Sequence, residues 1–272
     1  MRTFRLTLEY DGADFEGWQF QPGDHRTVQG TLERAIARVT LERARATGSG
    51  RTDSGVHAEG QVASVRLETA MEPERLRRAL NGVLPPDLVV LALERAPDAF
   101  DARRHATGKL YRYAIWNDPT RHPLRRARSL CLARRLDLEA LRRAARDLVG
   151  SHDFASFQGA GSDVKTTVRT LRRLEVTGEA GGELDLWFEG SGFLRHMVRN
   201  LVGTLIDVAS ARRDPEGMPE LLAARDRTLA GKTAPAHALS LVSVSYPPGA
   251  GEAPESDPSA AGGDPGEAAE SD

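Results

Sequence analysis

A single cysteine, Cys131, stands in 272 residues, which excludes an internal disulfide, and without CxxC spacing it cannot anchor a zinc or dithiol redox site. It is expected as a small buried hydrophobe. Lysine is scarce too: Lys109, Lys165 and Lys232 are three of 37 basic residues, leaving 34 arginines. No apolar run reaches the roughly 18 residues of a membrane span, and Met1 to Leu6 enters an alternating pattern with no signal-peptide h-region. A cytoplasmic chain without membrane association is expected. HExxH is absent, as is GxGxxG after a strand. Leu229-Ala230-Gly231-Lys232-Thr233 imitates a P-loop, but Asp226 occupies the place of its first glycine. Seven scattered histidines have no metal-ligand spacing. No metal and no nucleotide cofactor is expected.

The formal charge of -2 conceals an asymmetry. Pro247 to Asp272 holds seven acidic residues and neither Lys nor Arg, so Met1 to Tyr246 carries 32 acidic against 37 basic residues, a net charge of +5. A mildly basic folded part suits a polyanionic partner, and the planar arginine fork suits phosphates and base edges. Coding bias would enrich arginine equally, so charge alone leaves nucleic-acid binding open.

Thr3 to Glu9 alternates around Phe4, Leu6 and Leu8, the pattern of a half-buried strand, and Asp11-Gly12 breaks it. Thr27 fits an N-cap for a helix whose apolar face is Val28, Leu32, Ala35, Ile36 and Val39. Gln61 to Leu67 reads as a strand, Pro73 opens a helix carrying Leu76 and Leu80, and Val89 to Leu93 is a short strand. Further strands are predicted at Leu110–Trp116, Leu171–Thr177, Leu184–Phe188 and Leu239–Tyr246. Further helices are predicted at Leu138–Val149, from Phe193 to Ala209, and around Leu221–Ala224. The regular βαβ repeat of a doubly wound sheet is missing. The expected class is α+β: two similar-sized halves, 1–105 and 106–246, each a mostly antiparallel sheet with helices on one face, with an active-site cleft between them. Residues 247–272 are expected as a disordered acidic tail.

Gly48 to Gln61 carries most of the chemistry. Four glycines in thirteen residues, leading into a strand, mark a loop with unusual backbone or a close molecular approach, and it holds Arg51, Asp53 and His57. The residues alone permit a tight turn in which Asp53 caps amides and pairs with Arg51. They also permit an acid–base pair of Asp53 and His57.

Gly50-Arg51-Thr52-Asp53-Ser54-Gly55-Val56-His57-Ala58 resembles the GRTDxGVHA loop of the TruA family of tRNA pseudouridine synthases. The similarity continues through Leu8 to Gly12, Phe15, Gly17 to Gln19, Thr27 to Gly30, Lys109 to Tyr113, Gly150 to Phe154, Gly192 to Asn200 and Asp226 to Thr228. Ser54 departs from the family's usual alanine and His105 from its usual small residue. The resemblance implies a cofactor-free homodimer that binds tRNA and isomerises uridine to pseudouridine in the anticodon stem-loop region, positions 38–40 of the tRNA. By the same resemblance Asp53 is the catalytic carboxylate, Tyr111 stacks on the extracted uracil, Arg199 pairs with Asp53, and Arg51 holds the flipped nucleotide or its phosphate. A catalytically silent RNA-binding module of the same fold is the competing reading.

Pseudouridine formation breaks the N1–C1′ bond, rotates the uracil and rejoins it through C5. An ionised carboxylate can add to C1′, add to the base, or abstract a ribose proton to give a glycal, and the sequence leaves these three open. All need a charged carboxylate away from bulk water, hence a cationic partner. A helix starting near Phe193 puts Arg195 and Arg199 on one row, four residues apart. Arg195 is expected to face solvent or phosphate, and His196 to pack. Tyr111 and Tyr113 alternate on a strand and so share a face.

Overall fold

A computed structural model describes residues 1–161 and 164–252. Strand β1 (Arg2–Tyr10) buries Phe4, Leu6, Leu8 and Tyr10 on one face and leaves Arg5 and Thr7 on the other, as period-two alternation requires. Helix α1 (Val28–Thr40) starts where Thr27 caps it, its Oγ1 accepting from the Gly30 amide at 3.2 Å. After β2 (Thr47–Gly48) and β3 (His57–Leu67), helix α2 (Pro73–Asn81) opens on its proline, which has no amide to leave unpaired. Strand β4 (Leu88–Ala96) then pairs antiparallel with β1.

The second half begins with β5 (Gly108–Trp116) and β6 (Leu130–Cys131). Helix α3 (Leu138–Asp147) is capped by Asp137, which accepts from the Glu139 and Ala140 amides. Strands β7 (Gly150–Asp153), β8 (Val168–Gly178) and β9 (Glu183–Gly190) follow, then α4 (Met197–Ala209), α5 (Met218–Ala224) and β10 (Leu239–Ser245).

The expected α+β class holds, with one refinement: the strands form a single sheet, in the order β4-β1-β3-β10-β5-β9-β8-β7, with β2 beside β3 and β6 beside β5. Most pairings are antiparallel. The halves meet where β10 pairs parallel with β3, Ser240 opposite His57 and Leu241 opposite Ala58, while its other edge runs antiparallel to β5. The chain's last strand thus fills the space between the first half's β3 and the second half's β5. Helix residues such as Leu32, Leu76, Leu141 and Leu201 join Phe4, Val65, Tyr113 and Leu186 of the strands in one buried cluster, so the helices cover one face. Each such side chain fully buried is worth about 1.5–3 kcal/mol. On the other face Phe100 and Ala102 pack on Val62 with Tyr246 and Ala250, and the Arg5 guanidinium lies 4.7 Å from the Tyr246 ring centroid.

Three expectations are corrected. Helix α4 begins at Met197, not Phe193, because His196 takes a left-handed conformation (φ 59°) that breaks the helical path, so Arg195 is not on the helix. Cys131 is exposed rather than buried, since β6 is a two-residue branch outside the main strand order. The folded part runs beyond Tyr246: residues 248–251 form a turn, and its Ala250 packs near Phe100. The rest of the acidic tail lies outside the described residues. Among the described residues no helix is long and apolar enough to cross a membrane.

Candidate active site

The loop between β2 and β3 is held from several sides at once. Trp18 donates its amide to the Thr52 carbonyl (3.1 Å), and the Tyr10 hydroxyl meets Thr52 Oγ1 at 2.8 Å. Ser49 Oγ donates to Gln61 Oε1, whose Nε2 in turn donates to the Gly50 carbonyl. The Gly55 amide reaches the Phe15 carbonyl and the Val56 amide closes a turn on the Asp53 carbonyl, both at 3.2 Å. Gly12 allows the preceding loop to come this close: a Cβ there would lie 2.0 Å from the Val56 carbonyl oxygen, an overlap no neighbour could relieve.

Asp53 is thereby fixed by its backbone, leaving its carboxylate for a partner 146 residues away. Arg199, on the first turn of α4, donates Nη1 to Asp53 Oδ2 at 3.0 Å and Nε to the Ala234 carbonyl at 2.8 Å. The pair is sheltered but not sealed, the two side chains being 16% and 25% exposed for Arg199 and Asp53. Lys232 is exposed, and the GKT segment wraps α4, with the Gly231 amide bonded to Thr204 Oγ1. Its backbone therefore supports the helix that carries Arg199.

Tyr111 and Tyr113 lie on the core face of β5. Tyr113 is fully buried and donates its hydroxyl to the Pro235 carbonyl at 3.0 Å, a packing role. Tyr111 packs edge-on against Phe193, ring centroids 5.2 Å apart. Burial first, then the proximity of Tyr10 and of Asp53's charge, pushes its phenol well above the usual range, so it stays neutral and can give a proton only to a strong base. Phe193 faces this tyrosine because the helix has not yet begun.

Of the four residues singled out, the structure brings Asp53, Tyr111 and Arg199 together. Arg51 stands apart: it is exposed, and its Nε donates to Gln19 Oε1 at 3.0 Å. The turn in which Arg51 pairs with Asp53 is not what forms. Nor is the acid–base pair with His57, whose buried ring sits between the Gly12 amide on Nδ1 (3.0 Å) and the His237 carbonyl at Nε2 (2.9 Å). Arg195 reaches the Ala160 carbonyl at 2.8 Å and faces solvent. His196 lies nearer the site than its sequence context suggested, with Nε2 3.6 Å from Asp53 Oδ2. Burial outweighs the pull of Asp53 and, with the charges of Arg199, Arg195 and Arg227, lowers its imidazole below the usual range. No periodic signal marked that position, because the left-handed turn at His196 is invisible to a hydrophobic pattern.

The sequence profile of the family described as tRNA pseudouridine synthase matches residues 7–103 and 144–247. The chain belongs to the tRNA pseudouridine synthase family. Relatives named tRNA pseudouridine synthase A come from Roseiflexus sp. strain RS-1 (46% identical over 252 residues, 91% of this chain and 92% of the relative) and Myxococcus xanthus (42% over 246 residues, 90% and 92%). Another from Geobacter sulfurreducens is 42% identical over 246 residues, 90% of this chain and all of the relative. As a member of this family, the chain is an isomerase acting on tRNA. The matched stretches contain the Asp53 loop, β9 and β10, and the Arg199 helix.

Proposed function

We propose that this pseudouridine synthase acts on uridines of the tRNA anticodon stem-loop, positions 38–40, as a cytoplasmic homodimer, with Asp53 as the carboxylate that makes and breaks the bond to the sugar or base. The contact that carries this reading is the 3.0 Å pair between Asp53 and Arg199. A guanidinium at that distance supplies the counter-charge that a carboxylate needs when RNA seals the cleft and removes water. Tyr111, neutral and edge-packed on Phe193, presents a ring against which an extracted uracil can stack, since C1′ and C5 of a stacked base are poorly accessible. Arg51, exposed on the same loop, suits a phosphate of the flipped nucleotide. A cofactor is chemically unnecessary: the product is an isomer of the substrate, with no net oxidation or group added. A silent RNA-binding module would gain nothing from a sheltered carboxylate, which opposes phosphate binding.

A twofold dimer would set one subunit's cleft beside a second subunit's docking surface and give a tRNA more to grip than a single 29.6 kDa chain can. Unmodified tRNA incubated with the protein, without metal or nucleotide, should gain pseudouridine at positions 38–40. Modification elsewhere in the tRNA would refute the site assignment, and full activity of a strict monomer by light scattering would refute the dimer.

A further inference from the structure

Lys109 is not used by the chemistry above, yet it lies beside it. It precedes Tyr111 by two residues on β5, so both side chains leave the same face of the strand, about 7 Å apart. Its ammonium rests on the catalytic loop: a Cβ built on Gly50 would come within 2.4 Å of Lys109 Nζ. Gly50 is in turn held by Gln61 and stands three residues before Asp53.

The surroundings of this ammonium are unusual for a lysine. Among the described residues, the charges that act on it are those of Arg103 and Arg169, both cations. Arg169 is itself drawn in, donating Nη1 to the Thr166 carbonyl at 2.9 Å and to the Val168 carbonyl. Drawing an ammonium partly out of water is costly, and two neighbouring cations add to the cost. A purely structural side chain here would be better apolar, because a methionine fills the same volume at no electrostatic cost. In a chain with 34 arginines, the lysine is also not a product of composition. Its compact head fits where the broader guanidinium would meet the Gly50 backbone.

We infer that Lys109, with Arg103 and Arg169, forms a subsite for a backbone phosphate of the RNA, next to the cleft of Asp53 and Tyr111. The inference rests on the tRNA reading above. A phosphodiester supplies a negative charge among these cations, and its ionised oxygens can accept from Nζ while the two arginine charges add to the attraction. Uracil is neutral and cannot do this. The spacing along β5 lets one nucleotide place its base at Tyr111 and an adjoining phosphate at Lys109. Lys109 is thus a positioning residue, acting through where it holds the strand. Burial, and then the two arginine charges, pushes its ammonium down to about 8, so Lys109 is charged at neutral pH and loses its charge as pH rises through 8, while the arginines keep theirs.

Lys109→Met tests this by single-turnover kinetics and tRNA binding across a range of salt. Half-saturation should weaken about 5- to 20-fold, and the slope of log affinity against log salt should drop by about one phosphate contact. The rate at saturating tRNA should stay within twofold, and the melting temperature should not fall. Unchanged affinity and salt slope would overturn the subsite, as would a lost saturating rate at unchanged affinity. With only three lysines, the native protein can also be followed by NMR of 13C-methylated lysines. The Lys109 resonance should titrate near pH 8 alone and distinctly higher with an anticodon stem-loop RNA; an unmoved titration would overturn the proposal even if the variant failed to fold. If the native protein made no pseudouridine, the functional reading would fail, while the binding comparison would still decide Lys109.

Discussion

Replacing Arg199 by methionine keeps most of the side-chain volume and removes both of its polar contacts. At an effective dielectric near 20, unit charges at the 3.0 Å separation of Arg199 and Asp53 attract by about 5.5 kcal/mol before desolvation is counted. The residual exposure of both side chains and the cost of drying them take back part of that, leaving about 3 kcal/mol for truncating one partner of a sheltered pair. If the pair serves the transition state, this corresponds to a fall of about 10²-fold in single-turnover rate. Losing the bond to the Ala234 carbonyl removes about 1 kcal/mol of stability, a fall of about 2–4 °C in melting temperature. Tritium released from tRNA carrying 5-tritiated uridine measures the rate directly, because C5 exchanges its hydrogen for the bond to C1′. Arg195→Met is the control: that side chain holds the Ala160 carbonyl in solvent, and its loss should change the rate less than threefold. A folded Arg199→Met protein within threefold of the native rate would refute the reasoning.

Tyr111→Phe keeps the edge-on packing with Phe193 and removes only the hydroxyl, so the melting temperature should hold within about 2 °C while the single-turnover rate falls about tenfold or more. An unchanged rate would return Tyr111 to the packing role that Tyr113 has. Ending the chain after Glu252 should leave both melting temperature and activity unchanged. Ending it after Tyr246 should lower the melting temperature by a few degrees, because Ala250 then no longer packs with Phe100 and Ala102, and equal melting of the two truncations would show that this contact is idle.

What the sequence made legible was local. The cap at Thr27 and the opening proline of α2 act within one helical turn, and each helix starts where they stand. The start of α4 differs from the predicted one because Phe193 and Leu194 continue an apolar rhythm, although both belong to a non-helical segment, where Phe193 packs on Tyr111 and Leu194 joins the core. Strand β3 begins four residues before the predicted Gln61, since polar His57 and Glu59 imitate a loop while their backbone already belongs to the sheet. The joining of the halves rests on two residue pairs between β3 and β10, too few to leave a pattern. The meeting of Asp53 with Arg199 was legible only through family resemblance, since no periodicity links residues 146 apart. Lys109 did leave a signal: a lysine in step with Tyr111 and Tyr113 on a strand's core face is a charge in an apolar place.

The most direct test of the account is Asp53→Asn. The amide preserves size and hydrogen bonding to Arg199 but has neither the charge nor the nucleophilicity of the carboxylate. Single-turnover assays should show no pseudouridine formed by this variant, while tRNA affinity stays within about threefold of native, since Arg51 and the other cations remain. Appreciable turnover by pure Asp53→Asn protein, with its asparagine verified intact by mass spectrometry, would contradict the assignment of the reaction to this carboxylate.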